Sequence, residues 1–217
     1  MAGKPLVHVD IVSDVMCPWC WIGKKKLEAG IKQLEGKFQF KVRWLPYLLR
    51  PQIPPEGLPI PPGYRNPARL AQMIQAGEEV GIKFSFSNTS FPNTLKAHAL
   101  LELADSKDGG AKQNYVAERL FKAYFTDGKM LTEEDVVKVG QEAGFDPEEV
   151  RSFITDQEKL DAILQSALER SRKGVEGVPF FYFNGQRMFS GAQNEDVFTR
   201  MLTIAAERFP VAQLSKA

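Results

Sequence analysis

The chain of 217 residues carries 28 basic and 27 acidic side chains, a formal net charge of +1, and 43% of its residues are hydrophobic. This balance gives no indication of a strongly charged surface for nucleic acid or membranes, and two cysteines are too few for a disulfide scaffold. Such a chain can bury an ordinary core, as one domain or as one domain with a sizeable insertion.

The first fifty residues predict a βαβ unit. Residues 6–12, LVHVDIV, alternate and are rich in β-branched side chains, which favours a strand, and a helical pattern follows from Pro18 to about Glu35. Residues 38–46, FQFKVRWLP, read as a second strand. The next 22 residues, from Pro46 to Pro67, contain eight prolines and predict an irregular crossing. We expect this crossing to join two subdomains over the surface, with a substrate lid as the alternative.

Five or six helices are predicted between Asn66 and Gly174, because the helical period persists there and capping residues open several of the segments. The stretch VPFFYFNGQRMFSG then predicts two strands joined by a tight turn at Asn184-Gly185. A helix over 194–209 follows. This order suits a small sheet that carries a helical insertion.

Both cysteines lie in the stretch SDVMCPWCWIGKKKLE, residues 13–28. With Pro18 in the first turn, Cys17 caps the predicted helix, where free N–H groups and the helix dipole favour a thiolate. Cys20 lies one turn further on, on the inward face of the helix. The spacing therefore indicates a redox pair in which Cys17 attacks a disulfide and Cys20 releases the mixed disulfide.

The cysteine pair has two other interpretations. Two buried structural cysteines can occur at this spacing, but a proline between them at the junction of a strand and a helix argues against that reading. A zinc site would require two more ligands, and only His8 and His98 are available as histidines. We therefore predict no metal.

The bond between Val178 and Pro179 directly precedes a predicted strand, which is a natural position for a cis peptide. An ordinary trans proline remains the alternative at this point. Among the other candidates, Lys24, Lys25 and Lys26 are expected to form a solvated face, and His98 to be a packed or hydrogen-bonded bystander rather than a proton carrier.

Taken together, CPWC after a first strand, the helical insertion, GVPFFYFNG and SGAQ resemble the DsbA family of the thioredoxin superfamily. The FrnE-like intracellular branch is most similar, and its neighbours are the kappa-class glutathione transferases and the 2-hydroxychromene-2-carboxylate isomerases. The segments SDVMCPWCWIGK, FPNTLKAHAL and GVPFFYFNGQRMFSGAQ carry this resemblance.

The resemblance implies an α/β thioredoxin fold with a large all-helical insertion. It places the discontinuous thioredoxin-like domain at 1–60 and 156–217 and the insertion at 66–155. It also implies a nucleophilic Cys17, a resolving Cys20, and a cis-proline loop at Val178-Pro179 that pairs with an extended peptide or glutathione. Gln193 matches the region that holds the γ-glutamyl group of glutathione in the transferase relatives.

The chain departs from its relatives at the motif itself. Secreted DsbA oxidases often carry a histidine between the cysteines, and this chain carries Pro18 and Trp19, which we expect to contact substrate; core packing is the alternative for the tryptophan. The transferases and isomerases usually carry serine at the position of Cys17 and lack the second cysteine. Having both cysteines argues for redox chemistry.

Three functions follow from these patterns. The first is a thiol-disulfide oxidoreductase that exchanges with protein disulfides or glutathione, with no permanently bound cofactor. The second is a glutathione-dependent transferase or isomerase on the same fold, and the third is a binding module with a vestigial cysteine pair. Partners would be protein or small-molecule thiols and disulfides, without nucleic acid or membrane, and either a monomer or a homodimer is compatible with the sequence.

The N-terminal residues also bear on location. His8, Asp10 and Asp14 fall where a signal peptide requires an unbroken apolar run, so we expect a cytoplasmic protein. The terminal Ser-Lys-Ala differs from the peroxisomal Ser-Lys-Leu signal in its last residue, which leaves a peroxisomal address as the lesser alternative.

Overall fold

The structure, a computed structural model, describes residues 4–211. The terminal tripeptide considered as a peroxisomal signal lies outside the described residues. Helices and strands alternate at both ends of the chain, and helices dominate its middle. In chain order the elements are β1 (Leu6–Ser13), α1 (Pro18–Leu34), β2 (Gln39–Pro46), β3 (Leu58–Pro59), α2 (Pro67–Glu78), β4 (Ser90–Phe91), α3 (Leu95–Ser106), α4 (Gln113–Phe125), α5 (Glu133–Glu142), α6 (Pro147–Thr155), α7 (Gln157–Arg172), β5 (Phe180–Phe183), β6 (Gln186–Ser190) and α8 (Glu195–Arg208).

Within residues 4–211 the main sheet has four strands in the order β2-β1-β5-β6. Strands β1 and β2 are parallel, because α1 returns the chain to the same end of the sheet, whereas β5 pairs antiparallel with both β1 and β6. The β5–β6 turn is formed by Asn184 (φ 49°) and Gly185 (φ 77°), and these left-handed conformations explain why asparagine and glycine are suited to it. The predicted βαβ unit and the predicted hairpin are both confirmed.

The proline-rich crossing is irregular for most of its length, as predicted. Its one segment of regular secondary structure is the two-residue strand β3, in which Leu58 pairs with Phe91 of β4. This short ladder, which the sequence did not indicate, ties the crossing to the segment that precedes α3.

Helices α2, α5 and α6 begin at predicted capping residues, whereas α3 and α4 begin without a side-chain cap. Asn66 accepts backbone hydrogen bonds from the first turn of α2, and Asp146 does so for α6. Thr132 and Asp135 form a reciprocal capping box at the start of α5. The α/β architecture with a helical insertion is therefore confirmed, and the division at 60, 66 and 156 stays a prediction.

Helices α1 and α8 pack together beside the sheet, while α3, α4 and α7 contact β2. Gly30 lets α1 approach α8 closely, because a Cβ atom there would lie 3.0 Å from Phe198 Cβ and 3.2 Å from Thr199 N. Buried side chains from the sheet and from the helical part belong to one hydrophobic cluster. The two parts of the chain thus share a core.

The side chain of Gln113, at the start of α4, closes the edge of β2. Its Oε1 accepts a hydrogen bond from Trp44 N at 2.8 Å, and its Nε2 donates to Trp44 O at 3.1 Å. Gln113 is 1% exposed. The amide therefore supplies to Trp44 the two hydrogen bonds that a residue of a neighbouring strand would supply.

Candidate active site

The start of α1 positions Cys17. Cys17 is the N-cap residue, with φ −95° and ψ 112°, and Pro18 occupies the first turn, where its missing N–H breaks no helical hydrogen bond. The Cys17 N–H donates to Asp14 O at 3.0 Å, and the Cys17 carbonyl accepts from Cys20 N at 3.1 Å. The Cys17 side chain caps no backbone group, so its thiol is available for chemistry.

Cys20 lies one turn deeper, and both thiols are free. Cys17 is 6% exposed and Cys20 is fully buried. Burial raises the pKa of Cys20 well above its ordinary value, and hydrogen bonding and charge interaction with Cys17 raise it further. The pair is therefore unequal, because Cys17 keeps a small exposed fraction at the helix start while Cys20 is enclosed behind it.

The loop before β5 meets the pair. The Val178-Pro179 bond is cis, and the Cys17 thiol donates to the carbonyl oxygen of Val178 at 3.5 Å. Gly23 on α1 allows this approach, because a Cβ atom there would lie 3.1 Å from Pro179 Cγ and 3.4 Å from Phe181 Cζ.

A cavity of about 890 Å³ opens beside Cys17. Pro18 and Trp19, both predicted as substrate contacts, line it, whereas Val178, Pro179 and Gln193 do not. The neighbouring Trp21 is only 4% exposed and stacks on Phe121 and Phe125, so it belongs to the core. Gln193 donates to Ser190 O at 3.2 Å.

Much of the cavity wall comes from parts of the chain that the sequence did not link to the cysteines. The crossing contributes residues from Leu49 to Arg65, and α2 contributes residues on its first two turns. The crossing is therefore more than a surface connection between subdomains. Three of these wall residues are arginines: Arg50 and Arg65 lie in the crossing, and Arg69 lies on α2.

A buried polar group holds the base of the site together. Asp14 is fully buried, and its carboxylate accepts hydrogen bonds from Met16 N at 3.3 Å and from Leu49 N at 2.8 Å. His98 Nε2 lies 3.6 Å from Asp14 Oδ1 and has no hydrogen-bond partner within residues 4–211. Asp14 thereby ties the loop before Cys17 to the crossing, and His98 packs beneath it rather than lining the cavity.

The prediction of a solvated lysine face is wrong for Lys24. Its side chain is 3% exposed, and its ammonium lies 2.6 Å from Glu28 Oε1 and 2.9 Å from Glu118 Oε2. Helix α4 covers this face of α1, and no local pattern in the sequence signals that cover. Burial alone would raise the pKa of Glu118, but Lys24 and Lys25 more than reverse this, and its pKa is lowered.

Within residues 4–211, no group of three or more histidine, cysteine, aspartate or glutamate side chains could hold a metal ion. No helix within the same range combines the length and the apolar character needed to cross a membrane.

A strand-helix-strand unit, a CxxC pair at the helix start and a cis-proline loop against its first sulfur define a thioredoxin-fold protein of the dithiol type. Residues 8–203 match the family described as DSBA-like thioredoxin domain. The chain therefore belongs to the DSBA-like thioredoxin family, which confirms the DsbA-like membership expected from the sequence.

Individual relatives agree with this assignment over nearly their whole length. The chain is 28% identical to the uncharacterized protein YwbO of Bacillus subtilis strain 168, over 91% of this chain and 96% of that protein. It is also similar to the crystal structure of the probable DsbA oxidoreductase SCO1869 from Streptomyces coelicolor, with 26% identity, a TM-score of 0.81, and 97% and 95% of the two chains covered. The cytosolic disulfide reductase DsbM from Pseudomonas aeruginosa with GSH shares the fold, with 19% identity, a TM-score of 0.64, and 90% and 98% coverage.

Proposed function

We propose that the protein is a thiol-disulfide oxidoreductase in which Cys17 is the nucleophile and Cys20 the resolving thiol. The observation that carries this proposal is the unequal placement of two free thiols one helical turn apart. Cys17 occupies the N-cap position of α1 and lines the cavity, and Cys20 is fully buried with a raised pKa. A sulfur that can be reached and a second sulfur that is enclosed suit sequential attack and release.

The reaction proceeds in two balanced exchanges. The Cys17 thiolate attacks one sulfur of a disulfide, forms a mixed disulfide and releases the first thiol as its leaving group. Cys20 then loses its proton and attacks the Cys17 sulfur, which forms the Cys17-Cys20 disulfide and releases the second thiol. The substrate is reduced by two electrons and the protein oxidised by two, and two equivalents of a second thiol return the protein to the dithiol.

Substrates of this chemistry are protein or small-molecule disulfides, with glutathione as a co-substrate and no permanently bound cofactor. The glutathione in the DsbM structure and the carbonyl of Val178 against Cys17 support this choice. Pro179 follows that carbonyl and, with Val178, is proposed as the backbone against which a peptide or glutathione docks. The cytoplasm is the proposed location, in keeping with the cytosolic DsbM.

The glutathione-dependent transferase or isomerase remains the alternative, and replacing Cys20 with serine separates it from the dithiol mechanism. Cys20→Ser is expected to react once with oxidised glutathione and to stop with a glutathione adduct on Cys17, detected by intact-mass spectrometry. Cys17→Ser, the matched control, should form no adduct and reduce no disulfide. Full multiple turnover by Cys20→Ser without an adduct would favour the transferase, since its chemistry does not involve Cys20. Absence of turnover and adduct in all forms, including the native chain, would favour a binding module.

A further inference from the structure

The cavity beside Cys17 has an uneven charge. Three arginines line it, and no aspartate or glutamate does so among the residues that the structure describes. The whole chain has a formal net charge of only +1, so this concentration is local. The nearest buried carboxylate, Asp14, does not line the cavity and directs its oxygens to Met16 N and Leu49 N.

None of the three arginines forms an ion pair with a carboxylate in the range 4–211. Arg65 is fixed by two backbone carbonyls, those of Phe86 at 2.6 Å and Asn88 at 2.5 Å. The guanidinium of Arg50 lies over the rings of Tyr64 and Phe91, at 5.4 Å and 4.6 Å from their centroids. The two aromatic rings cover the flat face of the Arg50 guanidinium, and the N–H groups at the edge of the guanidinium are left for a ligand.

Arg69 lies in the first turn of α2 and is exposed. Asn66 caps the helix just before it through Ala68 N and Arg69 N, so the backbone that carries Arg69 is well ordered. Arg50 and Arg69 therefore stand on separate, fixed segments of the same wall, and guanidinium groups are well suited to bidentate binding of carboxylates.

The size of the cavity favours a small molecule. Its volume of about 890 Å³ falls within the range of roughly 300–1,000 Å³ found for small-ligand sites. The crossing that forms one wall is held by the pairing of Leu58 with Phe91 and by the hydrogen bond from Leu49 N to Asp14. The remaining lining includes apolar and aromatic side chains such as Ile60, Met73 and Phe86, which suit the carbon skeleton of a ligand.

We propose that this cavity selects small disulfides that carry two or more carboxylates, with Arg50 and Arg69 binding the carboxylates and holding the disulfide against Cys17. The inference rests on the proposed function for its redox step, in which the anionic disulfide accepts two electrons and leaves as two anionic thiols. Arg65, fixed by the backbone, adds positive charge to the wall.

Three disulfides of similar length and different charge test the selection. They are 3,3′-dithiodipropionate with two carboxylates, neutral bis(2-hydroxyethyl) disulfide, and cystamine with two ammonium groups. For each disulfide, the second-order rate constant for oxidation of the reduced protein is divided by the rate constant for oxidation of dithiothreitol by the same disulfide under the same conditions. This normalisation removes the intrinsic reactivity of each disulfide. The normalised rate should be greatest for the dianion and least for the dication, by roughly tenfold between the two, and this ratio should fall as salt is added.

Variants that remove the charge of one or both arginines test whether these residues cause the difference in rate between the dianion and the dication. Arg69→Gln, at an exposed position where packing is little affected, should reduce the ratio, and Arg50→Gln with Arg69→Gln should bring it close to one. Arg200→Gln is the matched control, because Arg200 is exposed on α8 and does not line the cavity. Equal normalised rates for the three disulfides, or an equal effect of Arg200→Gln, would overturn the proposal. So would a reduced protein that prefers a protein disulfide to all three small ones, with no response to the arginine variants.

A second measurement does not depend on redox turnover. Suberate has the same chain length as 3,3′-dithiodipropionate and no sulfur, and 1,8-octanediol is its neutral counterpart. Suberate should slow alkylation of Cys17 by iodoacetamide in the native chain but not in the double arginine variant, and the diol should protect neither. Absence of protection by suberate in the native chain would contradict the anion site alone. Failure of Cys20→Ser to trap an adduct from the neutral disulfide would contradict the proposed function alone.

Discussion

The sulfur of Cys17 lies 3.5 Å from the carbonyl oxygen of Val178, a residue 161 positions further along the chain. This contact joins the start of α1 to the loop before β5, and Gly23 on α1 leaves room for that loop. The geometry of the candidate site therefore depends on how closely two distant segments can approach.

Gly23→Ala should slow disulfide exchange. The added methyl group would lie 3.1 Å from Pro179 Cγ and 3.4 Å from Phe181 Cζ, so α1 and the loop must separate by a few tenths of an ångström. We expect a several-fold loss in the rate of mixed-disulfide formation, measured by stopped-flow fluorescence, together with a destabilisation of about 1–3 kcal/mol. Gly36→Ala is the control, because a Cβ atom at Gly36 meets nothing within 4 Å. An unchanged exchange rate in Gly23→Ala would show that the approach does not matter.

The two cysteines should differ strongly in alkylation. Burial raises the pKa of Cys20 and removes it from solvent, while Cys17 lines the cavity. Iodoacetamide should therefore label Cys17 first, and Cys20 should resist labelling even where an ordinary thiol with a pKa of about 8.5 is ionised. Peptide mass spectrometry over a series of pH values measures both rates, and the unfolded protein serves as control. Similar rates for the two thiols in the folded protein would contradict the assignment.

Replacing Asp14 with alanine should destabilise the protein. The change leaves Met16 N and Leu49 N without their acceptor. Met16 is buried and Leu49 is 44% exposed, so the cost of about 1–3 kcal/mol for an unsatisfied buried donor is expected from Met16 N. Urea denaturation of Asp14→Ala should show this loss. The control His98→Gln, which leaves both backbone bonds in place, should cost less; an equal or larger cost would assign the stabilising role to the histidine.

The ion pair between Lys24 and Glu118 should make stability depend on pH in the acid range. The pKa of Glu118 is lowered in the folded state, so its contribution is present above the unfolded value of about 4.3 and is lost as the pH falls through the folded value. Urea midpoints between about pH 5 and pH 2 should therefore fall less steeply for Glu118→Gln than for the native chain. Glu56→Gln is the control and should retain the native slope, because Glu56 is exposed and forms no ion pair within residues 4–211.

Local patterns were sufficient to predict much of the fold. The alternation in 6–12, the Asn184-Gly185 turn and the capping residues act over a few neighbours, and the structure has these elements in the predicted places. The positions of Cys17 and Cys20 on α1 follow from the same short-range rules. The cis bond at Val178-Pro179, which local rules left open, agrees with what the family resemblance implied.

Features that require distant contacts could not be predicted in this way. Lys24 resembles its solvated neighbours in sequence, and only packing of α4 on α1 makes it buried. The arginines of the cavity wall come from the crossing and α2, whose distance from Cys17 is set by the β3–β4 pairing and by Asp14. These relationships depend on the assembled fold rather than on the sequence near each residue.

The hydrogen bonds of Gln113 to the edge of β2 also bear on how the protein can aggregate. An unpaired strand edge is a template for association with other chains, and at Trp44 this edge is closed by a side chain from α4 rather than by another strand. Gln113→Ala, or any change that loosens α4, would free the backbone of Trp44 while leaving the four-stranded sheet intact. Aggregation on expression or storage would then begin from a molecule whose sheet is still folded, and intermolecular pairing at β2 would be its first step.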